Sequence, residues 1–186
     1  MLIAGGATLI QLREKSGSGR AFFDDAVAAL RIARTAGVTL LINDRVDVAL
    51  AIGADGVHLG QSDMPVTAAR KLLGHEAIIG YSTHNLEQIK AALDLPIDYL
   101  AFGPVFDTQS KENPDPVAGL DALREAKLIA KSLPLVAIGG IQKSNLHEVL
   151  AAGADSVAII SEILKTPINV TQNVRDLLLE ANGQPG

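Results

Sequence analysis

The chain has no cysteine and no tryptophan, and aromatic residues fill only 3% of its 186 positions. Without cysteine there can be no disulfide, no thiolate metal site and no cysteine nucleophile, a composition that suits a reducing cytoplasm. With so few aromatic rings there is no stacking platform for single-stranded nucleic acid. Cations are also in the minority, 16 Lys plus Arg against 21 Asp plus Glu, for a net charge of −5. Phosphate backbones need a basic surface, so general nucleic-acid binding is not expected. No apolar run approaches the roughly 18 residues of a membrane span. Residues 1–7 carry no basic stretch ahead of an apolar one, as a secretion signal would.

What is present is aliphatic. Hydrophobic residues make up 48% of the chain, ample for a folded core and far from the composition of a disordered chain. The length suits one domain over residues 1–186. Short apolar runs alternate with longer segments of helical spacing. Strands are expected near residues 8–12, 38–42, 55–59, 77–81, 98–102, 135–138 and 156–160. Helices are expected near residues 21–36, 45–51, 65–73, 86–93, 120–132 and 145–152, with a helical tail after Pro167. Runs such as Leu40-Leu41-Ile42 and Val157-Ala158-Ile159-Ile160 are continuous rather than alternating, which suits parallel strands covered on both faces. Residues 103–118, rich in Pro, Asp and Asn, read as a long loop.

This alternation predicts an α/β fold with right-handed crossovers, either an open doubly wound sheet or a closed (β/α)₈ barrel. Two features favour the barrel. Strand starts recur at short, similar intervals, and Gly53-Ala54-Asp55 before one strand repeats as Gly153-Ala154-Asp155 before another. No Gly-x-Gly-x-x-Gly follows a strand, which argues against a dinucleotide site. Seven strands are one short of a barrel. Residues 1–7 read as the end of a first helix, so the first strand and most of the first helix are expected to be missing from this chain. The exposed edges would then be met by another chain, as in a homodimer, or stay open.

In a (β/α)₈ barrel the active site lies at the carboxyl ends of the strands. There the sequence places Gln11, Arg13, Lys15, Asn43, Asp44, Asp63, Ser82, His84, Thr108, Ser110 and Lys111. The opposite junctions carry plain turn residues such as Gly37, Gly53, Pro96 and Gly153. Gly139-Gly140 and the turn at Ser161 suit phosphate binding through backbone N–H groups, although a tight turn alone would also call for glycine. Asp44 and Asp63 are oxygen donors of the kind Mg²⁺ takes together with substrate phosphates; taken singly, each reads equally well as a helix cap. Arg13, Lys15 and Lys111 could converge on the same phosphates, giving a site for metal plus diphosphate. No Ser stands in a nucleophile elbow. A lone His84 after a strand is more often structural than catalytic.

Several ordered motifs then align with one family. Gln11-Leu12-Arg13-Glu14-Lys15, Ile42-Asn43-Asp44-Arg45 and Val57-His58-Leu59-Gly60-Gln61-Ser62-Asp63 resemble thiamine-phosphate synthase. So do Gly80-Tyr81-Ser82-Thr83-His84, Gly103-Pro104-Val105-Phe106-Asp107-Thr108, Ile138-Gly139-Gly140-Ile141 and Ile159-Ile160-Ser161. The resemblance implies a (β/α)₈ barrel transferase of thiamine biosynthesis. It would join hydroxymethylpyrimidine diphosphate to a thiazole phosphate and release diphosphate. It further implies that Arg13, Lys15, Asn43 and Lys111 hold the diphosphate, and that Asp44 and Asp63 hold Mg²⁺. Gln11 and Ser82 would meet the pyrimidine, and Thr108, Ser110, Gly140, Ile160 and Ser161 the thiazole phosphate. Ser110 stands where the family more usually has Thr. The alternatives are a thiazole tautomerase-like paralogue, a non-catalytic phosphate-binding regulator on the same barrel, and a phosphosugar isomerase.

Overall fold

A computed structural model describes residues 1–14, 17–108 and 115–183. Seven strands are hydrogen bonded in sequence order, β1 Leu9–Leu12, β2 Thr39–Asn43, β3 Gly56–Leu59, β4 Ile78–Thr83, β5 Tyr99–Phe102, β6 Leu135–Ile138 and β7 Ser156–Ala158. Neighbours run parallel, with Leu41 opposite Gly56, Gly56 opposite Ile78, and Val136 opposite Ser156. The fold is therefore the parallel α/β class that the alternation predicts.

Helices fill the intervals: α1 Leu2–Gly5, α2 Gly19–Thr35, α3 Val46–Ile52, α4 Val66–Leu73, α5 Leu86–Ala92, α6 Gly119–Ala130, α7 Leu146–Ala151, α8 Ser161–Leu164 and α9 Val170–Ala181, with a 3₁₀ turn at Pro167–Asn169. Two strand ends depart from expectation. β4 continues to Thr83, because Thr83 donates its hydroxyl to the Ala101 carbonyl at 2.8 Å and accepts the Gly103 N–H at 3.1 Å. Ser82 therefore lies within a strand rather than after it. β7 stops at Ala158, so Ile159 and Ile160 leave the ladder although the apolar run continues.

The chain divides into two compact units. The amino-terminal unit holds Ala7–Tyr81 and Leu95–Asp98. Its core is β2 and β3, where Leu40, Leu41, Ile42, Val57 and Leu59 are all buried. α2 covers them with Phe22, Ala26, Leu30 and Ala33, one stripe at three- and four-residue spacing. Ser18 starts that helix by accepting the Ala21 N–H at 3.2 Å, an N-cap. Gly56 admits no substitute: a Cβ there would lie 1.9 Å from the Ile78 carbonyl oxygen.

The carboxyl-terminal unit holds Met1–Gly6, Ser82–Asp94 and Tyr99–Gly186. Leu100, Phe102, Leu135 and Ala137 of β5 and β6 are fully buried, beneath Leu123, Ile89, Leu146 and Val149 of the helices. α1 packs on α9, where Thr171 donates to the Met1 carbonyl at 3.1 Å.

The Gly-Ala-Asp repeat has a physical cause, and it recurs a third time. Asp55 accepts the Leu40 N–H at 2.7 Å, Asp98 the Ile79 N–H at 2.7 Å, and Asp155 the Leu135 N–H at 2.7 Å. Each aspartate returns its own N–H to the carbonyl of that same residue, at 3.2, 2.8 and 2.9 Å. β3, β5 and β7 are thus each preceded by a carboxylate that pins the start of the strand before it, at the second residue of β2 and of β4 and at the first of β6. Satisfying these N–H groups near the starts of buried strands avoids the penalty of an unpaired donor.

Candidate active site

In the amino-terminal unit the residues expected to handle diphosphate follow β1, β2 and β3. Gln11 lies in β1 and is exposed, and Arg13 follows it, half-buried. No acid among the described residues pairs with the Arg13 guanidinium. Lys15 falls outside the described residues. Asn43 closes β2 and is buried.

Asp44 comes next, with φ at +62°, one of two non-glycine residues of positive φ among those described. Its N–H donates to the His58 carbonyl at 2.9 Å, and the Arg45 N–H reaches back to the Asn43 carbonyl at 2.7 Å. That closes a three-residue turn centred on Asp44, of the strained positive-φ kind. Strained backbone of this sort concentrates at functional sites. Arg45 is turned aside into a fork with Asp47, at 2.8 and 2.6 Å, which holds the Asp47 carboxyl below the usual carboxylate range.

Asp63 folds back on its own loop. One carboxylate oxygen accepts the Gly60 N–H at 2.6 Å. Tyr81 carries a phenol pushed up by burial and by the negative charge of Asp63. The phenol therefore stays protonated at neutral pH. No group of three or more His, Asp or Glu able to hold a metal is found among the described residues. Mg²⁺ commonly takes one or two carboxylates and completes its shell with water and substrate phosphate. A two-carboxylate donor set therefore fits it, with Asp63 offering the oxygen that Gly60 does not engage.

In the carboxyl-terminal unit, Ser82 is half-buried in β4 and hydrogen bonded. His84 follows, its Nδ1 2.6 Å from the Gly103 carbonyl. A carbonyl only accepts, so Nδ1 carries the proton. Nε2 lies 3.5 Å from the Asp115 carboxylate. Thr108 is half-buried and also hydrogen bonded. Ser110 and Lys111 fall outside the described residues.

Gly139 and Gly140 have φ of +94° and +66°. A Cβ on Gly139 would lie 2.5 Å from Pro104, and one on Gly140 2.5 Å from the Asp107 carbonyl oxygen. These glycines are thus demanded by the segment after β5, which continues the ladder by donating the Val105 and Phe106 N–H groups to Ile138 and Gly139. Among the described residues nothing accepts from the Gly140 and Ile141 N–H groups. Ile160 precedes α8 and Ser161 opens it, both exposed.

Sequence reasoning missed Asn145, which holds the Gly140 turn, and the positive-φ turn at Asp44. The Asn145 position reads only as one more helix start. A turn of that geometry at an aspartate leaves no mark in composition.

The family model and the most similar relatives named here agree on one family. A family model described as thiamine monophosphate synthase matches residues 1–163. The thiamine-phosphate synthase of Koribacter versatilis is 51% identical over 166 residues, 89% of this chain and 78% of that protein. That of Vibrio campbellii is 50% identical over 161 residues, 87% of this chain and 78% of its own length. The solved thiamine phosphate pyrophosphorylase from Pyrococcus furiosus covers 100% of this chain and 88% of its own, with TM-score 0.88 and 36% identity.

Proposed function

The chain belongs to the thiamine monophosphate synthase family, and we propose that it couples hydroxymethylpyrimidine diphosphate to a thiazole phosphate with release of diphosphate. The observation that carries this reading is an asymmetry between strand ends. Carboxylates at the amino ends, Asp55, Asp98 and Asp155, are spent on strand N–H groups. Those after the carboxyl ends, Asp44 and Asp63, sit in short, specially shaped turns, Asp44 directly after the buried Asn43. Such a set suits charge stabilisation on a leaving diphosphate, not nucleophilic attack by the protein.

In this reading the bond between the pyrimidine methylene carbon and the diphosphate oxygen breaks, and its electron pair leaves with diphosphate. The thiazole nitrogen then bonds to that carbon. Arg13, Asn43 and, by the sequence, Lys15 and Lys111 hold the diphosphate. Asp44 and Asp63 would hold Mg²⁺, which when bound supplies further positive charge to the leaving group. Gln11 and Ser82 orient the pyrimidine. Thr108, Gly140, Ile160, Ser161 and, by the sequence, Ser110 hold the thiazole phosphate. We further read the seven strands as seven of the eight in a (β/α)₈ barrel. In support, the edge strands are the exposed ones: Leu9 of β1 is 49% exposed and Ser156 of β7 is exposed, whereas β3 is buried throughout.

The tautomerase-like reading has less behind it, because the chain keeps Asp63, a carboxylate for a diphosphate-bound metal that isomerisation of a thiazole does not call for. Incubation of the purified chain with both substrates and Mg²⁺ separates the two. Thiamine phosphate supports the synthase. Isomerisation of a thiazole carboxylate phosphate without coupling would replace that reading with the tautomerase.

A further inference from the structure

Asn145 stands at the N-cap of α7, and its side chain does not cap that helix. The contrast with Asn85, at the N-cap of α5, is direct: there Oδ1 accepts the Gln88 N–H at 2.9 Å in the usual way. Asn145 instead reaches back over the preceding turn. Its Oδ1 accepts the Gln142 N–H at 2.8 Å, and its Nδ2 donates to the Gly140 carbonyl at 3.1 Å. The backbone closes the same turn, with the Asn145 N–H on the Gln142 carbonyl at 3.2 Å. Forgoing a helix cap gives up stabilisation that an asparagine in this place ordinarily provides.

A trans peptide is planar, and its C=O and N–H point in opposite directions. Anchoring the Gly140 carbonyl on Asn145 therefore aims the Ile141 N–H away from Asn145. Nothing among the described residues accepts from that N–H. On its other side the Gly140 turn is fixed by contact with Phe106 and Asp107, which leaves no room for a Cβ. The peptide is thus gripped from two sides, and one grip is a side chain that forgoes its local role to provide it.

We propose that Asn145 is a positioning residue. It holds the Gly140–Ile141 peptide so that its N–H meets the phosphate of the thiazole substrate, and it does not touch that substrate itself. This rests on the synthase reading and names the residue that pre-organises its phosphate loop. An amide held in place before binding need not be ordered by the ligand, which is where the affinity comes from.

The test is steady-state coupling by wild type, N145A and N145D, with KM measured separately for each substrate. N145A should raise KM for the thiazole phosphate on the order of tenfold. KM for the pyrimidine diphosphate should stay within about twofold of wild type and kcat within about threefold. N145D keeps the acceptor for Gln142 and loses the donor to Gly140. It should melt close to wild type yet show the same selective rise in KM, persisting at high salt, where repulsion between its carboxylate and the phosphate is screened. If N145A does not fold, N145D decides. An unchanged KM for the thiazole phosphate, or equal rises in both KM values, would overturn the role while leaving the synthase reading intact. Absence of any coupling by the wild type would overturn both.

Discussion

At the scale of single residues, three side chains carry separable expectations. Asp63 gives one oxygen to Gly60 and has one left for a cation. D63N keeps a carbonyl for the Gly60 N–H and loses the charge. Calorimetry with diphosphate and Mg²⁺ should show metal-dependent affinity falling by about 10- to 100-fold, the range found for altered metal surroundings; unchanged affinity would remove Asp63 from the metal. Asp44 occupies left-handed backbone that glycine adopts without strain. D44G should therefore melt above D44A, by about 1 kcal/mol or some 2–4 °C, while both lose activity. Equal melting temperatures would show that the turn stores no strain. His84 spends its Nδ1 proton on Gly103 and faces Asp115 with Nε2. Loss of a true general acid or base costs about 10²- to 10⁴-fold. H84A should lower coupling by less than about tenfold, and a larger fall with the fold intact would point to proton transfer.

At the scale of elements, the aspartates that precede β3, β5 and β7 bind neighbouring strands together. Burial pushes the Asp155 carboxyl up, but the hydrogen bond from Lys127 at 2.6 Å and the Leu135 N–H outweigh it and hold the carboxyl below its usual range. A lowered carboxyl stabilises the fold above its unfolded value, near pH 4, and that contribution is lost as pH falls through the folded value. Melting temperature against pH should consequently fall less steeply below about pH 4 in D155N than in the wild type; parallel acid limbs would contradict this. Arg70 ties the end of α4 to the starts of β4 and β5. It donates to the carbonyls of Pro96, Gly74, His75 and Ala77 and pairs with Asp98 at 2.7 Å, with 12% of its side chain exposed. R70L strands those acceptors and should cost about 3 kcal/mol, or roughly 10 °C in melting temperature. A shift of only a degree or two would show that water replaces the guanidinium.

Legibility in the sequence followed what each signal depends on. β2, β3, β5 and β6 were readable to within a residue because buried parallel strands need unbroken aliphatic runs bounded by turn residues. The end of β7 was not, because Val157-Ala158-Ile159-Ile160 looks uniform while pairing with β6 stops at Ala158. Two of the three strand-pinning aspartates showed as Gly-Ala-Asp. The third hid within Pro96-Ile97-Asp98, where only the carboxylate is shared. Site residues showed through spacing that matches a family, and that match says which residues gather, not how they are held. Asn145 and the turn at Asp44 are matters of backbone direction, which residue names do not encode.

At the scale of the whole molecule, the described residues proposed for diphosphate and metal belong to one unit and those proposed for the thiazole phosphate to the other, while Gln11 and Ser82, proposed for the pyrimidine, come one from each. Arg13, Asn43, Asp44 and Asp63 belong to the amino-terminal unit; Ser82, Thr108, Gly140, Ile160 and Ser161 belong to the other. R13A should raise KM for the pyrimidine diphosphate and lower kcat by about 10²-fold, as loss of a charge-stabilising donor does, with little effect on the thiazole phosphate. S161A should do the reverse for KM. No helix among the described residues is long and apolar enough to cross a membrane, and the small acidic excess leaves anion binding to local groups rather than to a global field. The most direct test of the coupling reaction is to quantify thiamine phosphate and released diphosphate together, from the purified chain with both substrates and Mg²⁺. The account predicts equal amounts of the two products, and neither when the thiazole phosphate, the pyrimidine diphosphate or the metal is withheld. Diphosphate released without thiamine phosphate, or no product from the complete mixture, would contradict it.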